Sequence, residues 1–232
     1  MSMRSLLASI LTLTKNGDEC SLEDLSRNAK LPLIEAQTRA RELSDREVLE
    51  FRGGILSASS EQRLSLALYA MKQGADFERI CRLLSWQEFE NITVKSLEAN
   101  GFSTVKHFAL RSGDRRREID VVGVKDMLVI CADCKHWMKG LRGAAAQKIA
   151  AKQVERVESL ACNGAAKRRL GISAGNTTFF IPAVVSLVES GPKLIGGVPI
   201  VPALKLNSFL SSIDPFVEGV LIVKAKGVRK PR

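Results

Sequence analysis

The chain has 232 residues, 45% of them hydrophobic, and its 35 Lys/Arg against 25 Asp/Glu give a formal net charge of +10. That length admits one large domain or two small ones with a real core. Five cysteines without regular spacing (Cys20, Cys81, Cys131, Cys134, Cys162) argue against a disulfide-stapled secreted scaffold, and no apolar run approaches the ~18 residues needed to span a bilayer.

In chain order, residues 3–14 are interrupted apolar sequence followed by KNGDE, which offers no small-residue cleavage site, so they read as a first helix and not a signal peptide. The expectation is a cytoplasmic protein without a membrane partner. Helical spacing continues over 21–30 and 33–45, with Ser21 and Asp24 marking a helix start. Two short apolar runs over 48–57, joined through Gly53 and Gly54, read as a β-hairpin. Three helices and a hairpin over residues 1–58 resemble a winged helix-turn-helix domain, which implies DNA reading through its third helix. That helix carries Glu35, Arg39, Arg41, Glu42 and Asp45, whose charges nearly cancel. Because phosphate neutralisation supplies much of DNA affinity, dimerisation or protein docking is the favoured role for this region.

Charge divides the chain in the same place. Residues 1–59 hold 8 Lys/Arg and 9 Asp/Glu, whereas 60–232 hold 27 and 16, so the basic excess lies wholly in the second part and points to a polyanionic partner such as nucleic acid. Helices over 61–72 and from Asp76 form an expected linker at 59–84. A helix over 85–100 then leads to strands at 102–110, 117–124 and 127–133, a helix at 144–162, strands at 178–188 and 198–201, a helix at 203–210 and a last strand at 220–223. Residues 224–232 read as a basic tail. The order describes an α/β fold with an α-β-β-β-α-β core and a mixed central sheet over 85–223.

The segment 129–137, VICADCKHW, admits two readings. As a CxxC motif, Cys131 and Cys134 would serve zinc or redox chemistry. In a strand, however, residues two apart share a face and residues three apart do not, so the two thiols point to opposite sides. No second CxxC or spaced histidine pair exists; the histidines are His107 and His136. Alternation instead sets Asp133 beside Lys135, and on the preceding strand Glu118 beside Asp120. Carboxylates crowded at a strand centre are costly unless they share a cation, and oxygen ligands suit Mg²⁺ or Mn²⁺. A Lys135–Asp133 salt bridge on a solvated face is the plain alternative.

Taken in order, WQEFE at 86–90, the helix end ANGF at 99–102, EID at 118–120 and VICADCKHW resemble the restriction-endonuclease-like PD-(D/E)xK superfamily, most closely its Mrr-type and archaeal Holliday-junction-resolvase-like members. The resemblance covers about residues 85–210. It implies that Asp120 and Asp133 ligate a metal with the Cys134 backbone carbonyl, that Lys135 orients the attacking water or stabilises charge on the phosphorus, and that Glu90 is the helix carboxylate that completes the site or holds a second metal. Glu88, two residues away, lies on a different helix face. Gln147 or Gln153 resembles a glutamine found near the metal in relatives, with Gln153 preferred. Ile119 stands where proline is usual and Asp133 where glutamate is more common, but neither departure removes a functional group.

Around this set, Lys148, Lys152 and Arg156 recur every four residues on one helix face, and Lys139, Arg142, Arg115, Arg116 and Arg117 extend the positive surface. Such residues would contact the DNA backbone, with little dependence on sequence. The expectation is an Mg²⁺-dependent DNA endonuclease acting as a homodimer, since cutting two strands requires two sites. Its rivals are a non-catalytic DNA-binding or regulatory protein on the same fold and, behind that, a zinc or redox protein using Cys131 and Cys134.

Overall fold

The computed structural model describes residues 3–113, 115–135, 143–172, 177–187, 189, 192–214 and 218–226. The chain divides into two compact units, Met1–Phe89 and Glu90–Arg232.

In the first unit, α1 (Met3–Leu13), α2 (Leu22–Ala29) and α3 (Leu33–Asp45) turn Leu7, Ile10, Leu11, Leu25 and Leu43 into a shared core. α2 starts where Ser21 Oγ accepts the Asp24 N–H at 3.0 Å, as an N-cap serine does. The expected hairpin forms as β2 (Glu50–Arg52) and β3 (Ile55–Ser57), and both tip glycines have positive φ, 59° and 82°, as a tight two-residue turn requires. A two-residue strand that the sequence pattern did not mark, β1 (Cys20–Ser21), adds to β3 and gives a sheet ordered β1-β3-β2. α4 (Ser60–Lys72) and α5 (Phe77–Cys81) occupy the expected linker and belong to this unit, with a capping box between Ser59 and Gln62 opening α4. Arg63 of α4 is 1% exposed yet fully partnered. Its Nε donates to Glu88 Oε1 at 2.7 Å, Nη1 to Leu11 O and Thr14 Oγ1 at 2.8 Å each, and Nη2 to Leu83 O at 2.8 Å.

The second unit is a mixed α/β layer structure. After α6 (Trp86–Ala99), an antiparallel meander of β4 (Ser103–Ser112), β5 (Arg115–Lys125) and β6 (Leu128–Lys135) is continued by β7 (Thr177–Ser186) and β9 (Val198–Pro202), each parallel to its predecessor in the sheet. α7 (Gly143–Cys162) and a short α8 (Gly164–Arg169) make the crossover between the parallel strands β6 and β7, as parallel pairing demands. The sheet order is β4-β5-β6-β7-β9-β8, where β8 is Leu194–Ile195. α9 (Leu206–Ser212) follows. The last strand lies later than its pattern suggested: β10 is Val223–Lys226, antiparallel to β7, so Lys224 and Lys226 are sheet residues and not tail. Among the described residues, no helix is long and apolar enough to cross a membrane.

Two packed faces hold this sheet. On one, Val157, Leu160 and Ala161 of α7 meet Phe108, Leu110, Ile119, Val122, Val129, Cys131 and Phe180. On the other, Leu97 of α6 lies against Gly123, where a Cβ would stand 2.9 Å from a Leu97 methyl. That close approach explains a glycine inside a strand.

Candidate active site

Strict alternation along β4 and β5 would put Lys106 and Phe108, or Gly123 and Ile119, on common faces. The structure departs from it at one place. Lys106 donates to Asn91 of α6 at 2.7 Å while Phe108 joins the α7 core, and Gly123 faces α6 while Ile119 faces α7. Both strands change face between these residues, in a register that runs from Lys106↔Val121 to Phe108↔Ile119 with His107 and Asp120 between. His107 takes φ 48°, the left-handed region that an ordinary side chain rarely adopts. Strain of this kind gathers at functional sites.

The same place is where β5 and β6 part. Their ladder ends at Val121↔Ala132, while β6 remains paired to β7 as far as Lys135↔Ser186. Beyond the last pair, the half-buried Asp120 turns its side chain in to accept the Cys134 N–H on Oδ2 at 2.8 Å. Asp133 is 1% exposed and points to the α7 side, with Lys135 Nζ 2.9 Å from Oδ2 and Arg156 Nη1 2.6 Å from Oδ1. Gln153, fully buried on α7, donates from Nε2 to Cys131 O at 2.8 Å and accepts from Arg156 Nη1 on Oε1 at 3.3 Å. Gln147, six residues earlier on the helix, is exposed, so of the two glutamines Gln153 is the one at this cluster.

Glu90 comes from α6 with no exposed surface, and among the described residues neither carboxylate oxygen has a hydrogen-bond partner. His107 Nε2 lies 3.4 Å from Oε2, and His107 Nδ1 lies 3.4 Å from Glu118 Oε1. Burial pushes the Glu90 carboxyl above the ordinary carboxylate range; His107 and Lys106 partly oppose this, and Asp120 and Glu118 add to it. Asp120 is also raised, first by burial and then by the Asp133 charge, against the Cys134 N–H, Lys135 and Arg156. Glu88, by contrast, is engaged by Arg63 and by the Ser85 N–H, which it accepts at 2.6 Å to cap α6.

The two raised carboxylates fix the sign of a pH effect. A folded-state pKa above the unfolded value contributes stability that is complete below the unfolded value, about 4, and is lost as pH climbs through the raised folded value. In EDTA, the melting temperature of wild type relative to Glu90→Gln is therefore expected to fall as pH rises from about 4. Parallel curves for the two proteins would mean that folding does not raise the Glu90 carboxyl.

The two cysteines take opposite sides of the sheet. Cys131 sits among Val157 and Leu160 of α7, whereas Cys134 Sγ is 3.4 Å from Thr93 Oγ1 of α6. Burial raises both thiols well above their ordinary range, which opposes the thiolate form that zinc or redox chemistry needs. Of the expected basic surface, Lys148, Lys152, Arg115 and Arg116 are exposed, Arg117 pairs with Glu155 at 3.1 Å, and Arg156 is turned inward onto Asp133. Lys139, Arg142, His136 and Trp137 lie outside the described residues. Sequence reasoning missed His107, whose only local signal was its place opposite Asp120.

Residues 81–195 match the family model Mrr_cat, described as a restriction endonuclease. An uncharacterized protein of Archaeoglobus fulgidus is 32% identical over 131 residues, which is 56% of this chain and 92% of that relative. The chain belongs to the restriction-endonuclease-like nuclease superfamily. Its matched region contains Glu90, Asp120, Asp133, Lys135, Gln153 and Arg156. Two solved structures are similar more loosely: a protein of unknown function, AF1548, with TM-score 0.30 and 16% identity over 51% of each chain, and protein VC1899 from Vibrio cholerae, with TM-score 0.36 and 14% identity over 89% of this chain and 49% of that one. The restriction-endonuclease-like chain thus spans about half the length of each solved structure.

Domains of the restriction-endonuclease-like superfamily generally use divalent metals. Among the described residues, no group of three or more His, Cys, Asp or Glu is assembled as a ready-made metal cage. The donors present nonetheless fit a hard divalent cation: Asp120 and Asp133 repel one another at the strand fork, and Glu90 has two buried oxygens that accept no hydrogen bond among the described residues. Mg²⁺ in particular is commonly held by one or two carboxylates with water and substrate phosphate completing its shell.

Proposed function

We propose that this chain is an Mg²⁺- or Mn²⁺-dependent DNA endonuclease that hydrolyses phosphodiester bonds. The observation that carries the reading is the fork between β5 and β6, where Asp120, Asp133 and Lys135 converge beside the buried Glu90, whose oxygens accept no hydrogen bond among the described residues. A two-strand fork freed from ladder pairing leaves carboxylates and a cation together where a phosphate and a water could be received.

Asp120 and Asp133 would hold the ion, with the Cys134 carbonyl and Glu90 completing the site. Such an ion supplies an activated water, neutralises charge on the non-bridging oxygens and assists the departing 3′-oxygen. The residues' own work is distinct. Lys135 places a fixed positive charge where negative charge develops on the phosphoryl group. Gln153, tied to Cys131 O, keeps α7 in place over β6. The Cys134 N–H holds the Asp120 carboxylate turned into the fork. Lys148, Lys152, Arg115 and Arg116 would take DNA phosphates, with Lys139 and Arg142 extending that surface, so binding is expected to weaken steeply with salt and to depend little on sequence.

For the first unit, the order of α1, β1, α2, α3, β2 and β3 with a three-stranded sheet supports the winged-helix reading. Its α3 pairs Arg39 with Glu42 and exposes Leu33 and Ile34, which supports protein docking or dimerisation over DNA reading. A homodimer in the cytoplasm is the assembly proposed. The test is incubation of supercoiled plasmid, methylated duplex, single-stranded DNA and a four-way junction with Mg²⁺, Mn²⁺ or EDTA. Cleavage of at least one substrate with metal and none with EDTA is expected; intact DNA in every metal-containing tube refutes the reading.

A further inference from the structure

The carboxylate assigned to metal binding is already occupied on both oxygens. Lys135 holds Asp133 Oδ2, and Arg156 holds Oδ1 at 2.6 Å, the shorter of the two contacts. Arg156 is not there by chance of a long side chain reaching a surface charge. The same Nη1 is shared with Gln153 Oε1, and Gln153 is itself buried and anchored to the β6 backbone. The guanidinium thus sits in a cradle built by α7 and β6, against a carboxylate that is 1% exposed.

We infer that Arg156 is a resident counter-ion that a divalent metal displaces from Asp133, so that loading the metal releases a third cation onto the α7 phosphate-binding stripe. This rests on the nuclease reading of the same site. Charge balance supports the exchange. In the arrangement described, three acidic groups (Glu90, Asp120, Asp133) face two cations (Lys135, Arg156). Exchanging a singly charged guanidinium for a doubly charged ion raises the positive charge set against these carboxylates. Geometry supports it as well. Arg156 enters from the rim with 28% of its side chain exposed, four residues from exposed Lys152 and eight from exposed Lys148, on one helix face. Swinging outward, it needs no new backbone conformation to join them. Two ligands competing for one carboxylate are negatively coupled, and effects of this type commonly lie in the 5–150-fold range.

Mn²⁺ binding to the metal-free protein, measured by calorimetry on wild type and Arg156→Gln, reads the competition without any cleavage assay. The variant is expected to bind Mn²⁺ about 5- to 10-fold more tightly, because glutamine offers no charge to hold Oδ1. If both proteins bind Mn²⁺ and the variant binds equally or more weakly, Arg156 positions Asp133 and does not compete for it, and the inference is overturned while the metal site stands. If neither binds Mn²⁺, the metal-site reading fails and takes the inference with it. Wild type provides a second readout that does not depend on the variant folding. The Arg156 guanidinium NMR signals, slowed in exchange by the Asp133 contact, should become fast-exchanging on saturation with Mg²⁺; signals unchanged at saturation overturn the displacement.

Discussion

Asp120→Asn is expected to reduce metal-dependent cleavage by about 10³-fold, since a bound ion supplies several kcal/mol of charge stabilisation and each 1.36 kcal/mol is tenfold in rate. Asparagine keeps an acceptor for the Cys134 N–H, which reaches Asp120 Oδ2 at 2.8 Å, so the strand fork should persist and the loss should be one of charge. Lys135→Met separates a second role. Its ammonium lies 2.9 Å from Asp133 with about a quarter of its side chain exposed, close enough to act on a phosphoryl group held at the fork. Removing one preorganised donor of this kind commonly costs about 10²- to 10³-fold in turnover. The two variants should differ in calorimetry: Asp120→Asn is expected to weaken Mn²⁺ binding and Lys135→Met to leave it intact or tighten it, because a cation next to a proposed ligand has been removed. Equal cleavage by either variant and wild type contradicts the assignment of that residue.

The second large effect concerns stability. Arg63 and Glu88 form an ion pair at 2.7 Å with side chains only 2% and 3% exposed, and Arg63 also satisfies the carbonyls of Leu11 and Leu83 and the hydroxyl of Thr14. Removing one partner of such a pair leaves a buried charge uncompensated and costs about 3–5 kcal/mol. Arg63→Met is therefore expected to lower the urea midpoint of the first unit sharply. Adding Glu88→Gln to that variant should restore part of the loss, since the glutamine oxygen can still cap α6 through the Ser85 N–H while the stranded charge disappears. A double variant no more stable than Arg63→Met places the whole cost in Arg63's backbone contacts and not in the pair. Neither residue is assigned to catalysis, so the metal affinity of the folded single variant should match wild type.

The two sets of residues differ in how they could be seen. Glu88 and Glu90 stand two apart on one helix, and helical spacing alone separates their faces; it does not say that an arginine 25 residues earlier waits for Glu88 while Glu90 is left without a hydrogen bond among the described residues. The Arg63–Glu88 pair has no local signature, because its energy depends on the meeting of distant segments in a dry interior. Likewise Arg156 fell into a helical stripe with Lys148 and Lys152 by spacing. Only the depth of Asp133 beneath α7 turned it inward.

What the sequence determined by itself follows from short-range periodicity. The two-residue repeat of β6 set Asp133 and Lys135 on one side and sent Cys131 and Cys134 to opposite faces, because the covalent geometry of an extended chain alternates side chains whatever surrounds it. Helix spacing, Ser21 at a helix start and Gly53-Gly54 at a hairpin tip are equally local. Tertiary structure decided the rest. It alone shifted β10 onto β7 and added β1 to β3, since a short strand is stabilised by its neighbour more than by its own residues. It alone switched the faces of β4 and β5 at His107 and Asp120 and ended the β5–β6 ladder there. That departure from alternation gathers Asp120 to Asp133 and Glu90, and it exists because two sheet faces with different helices must be filled by the same strands.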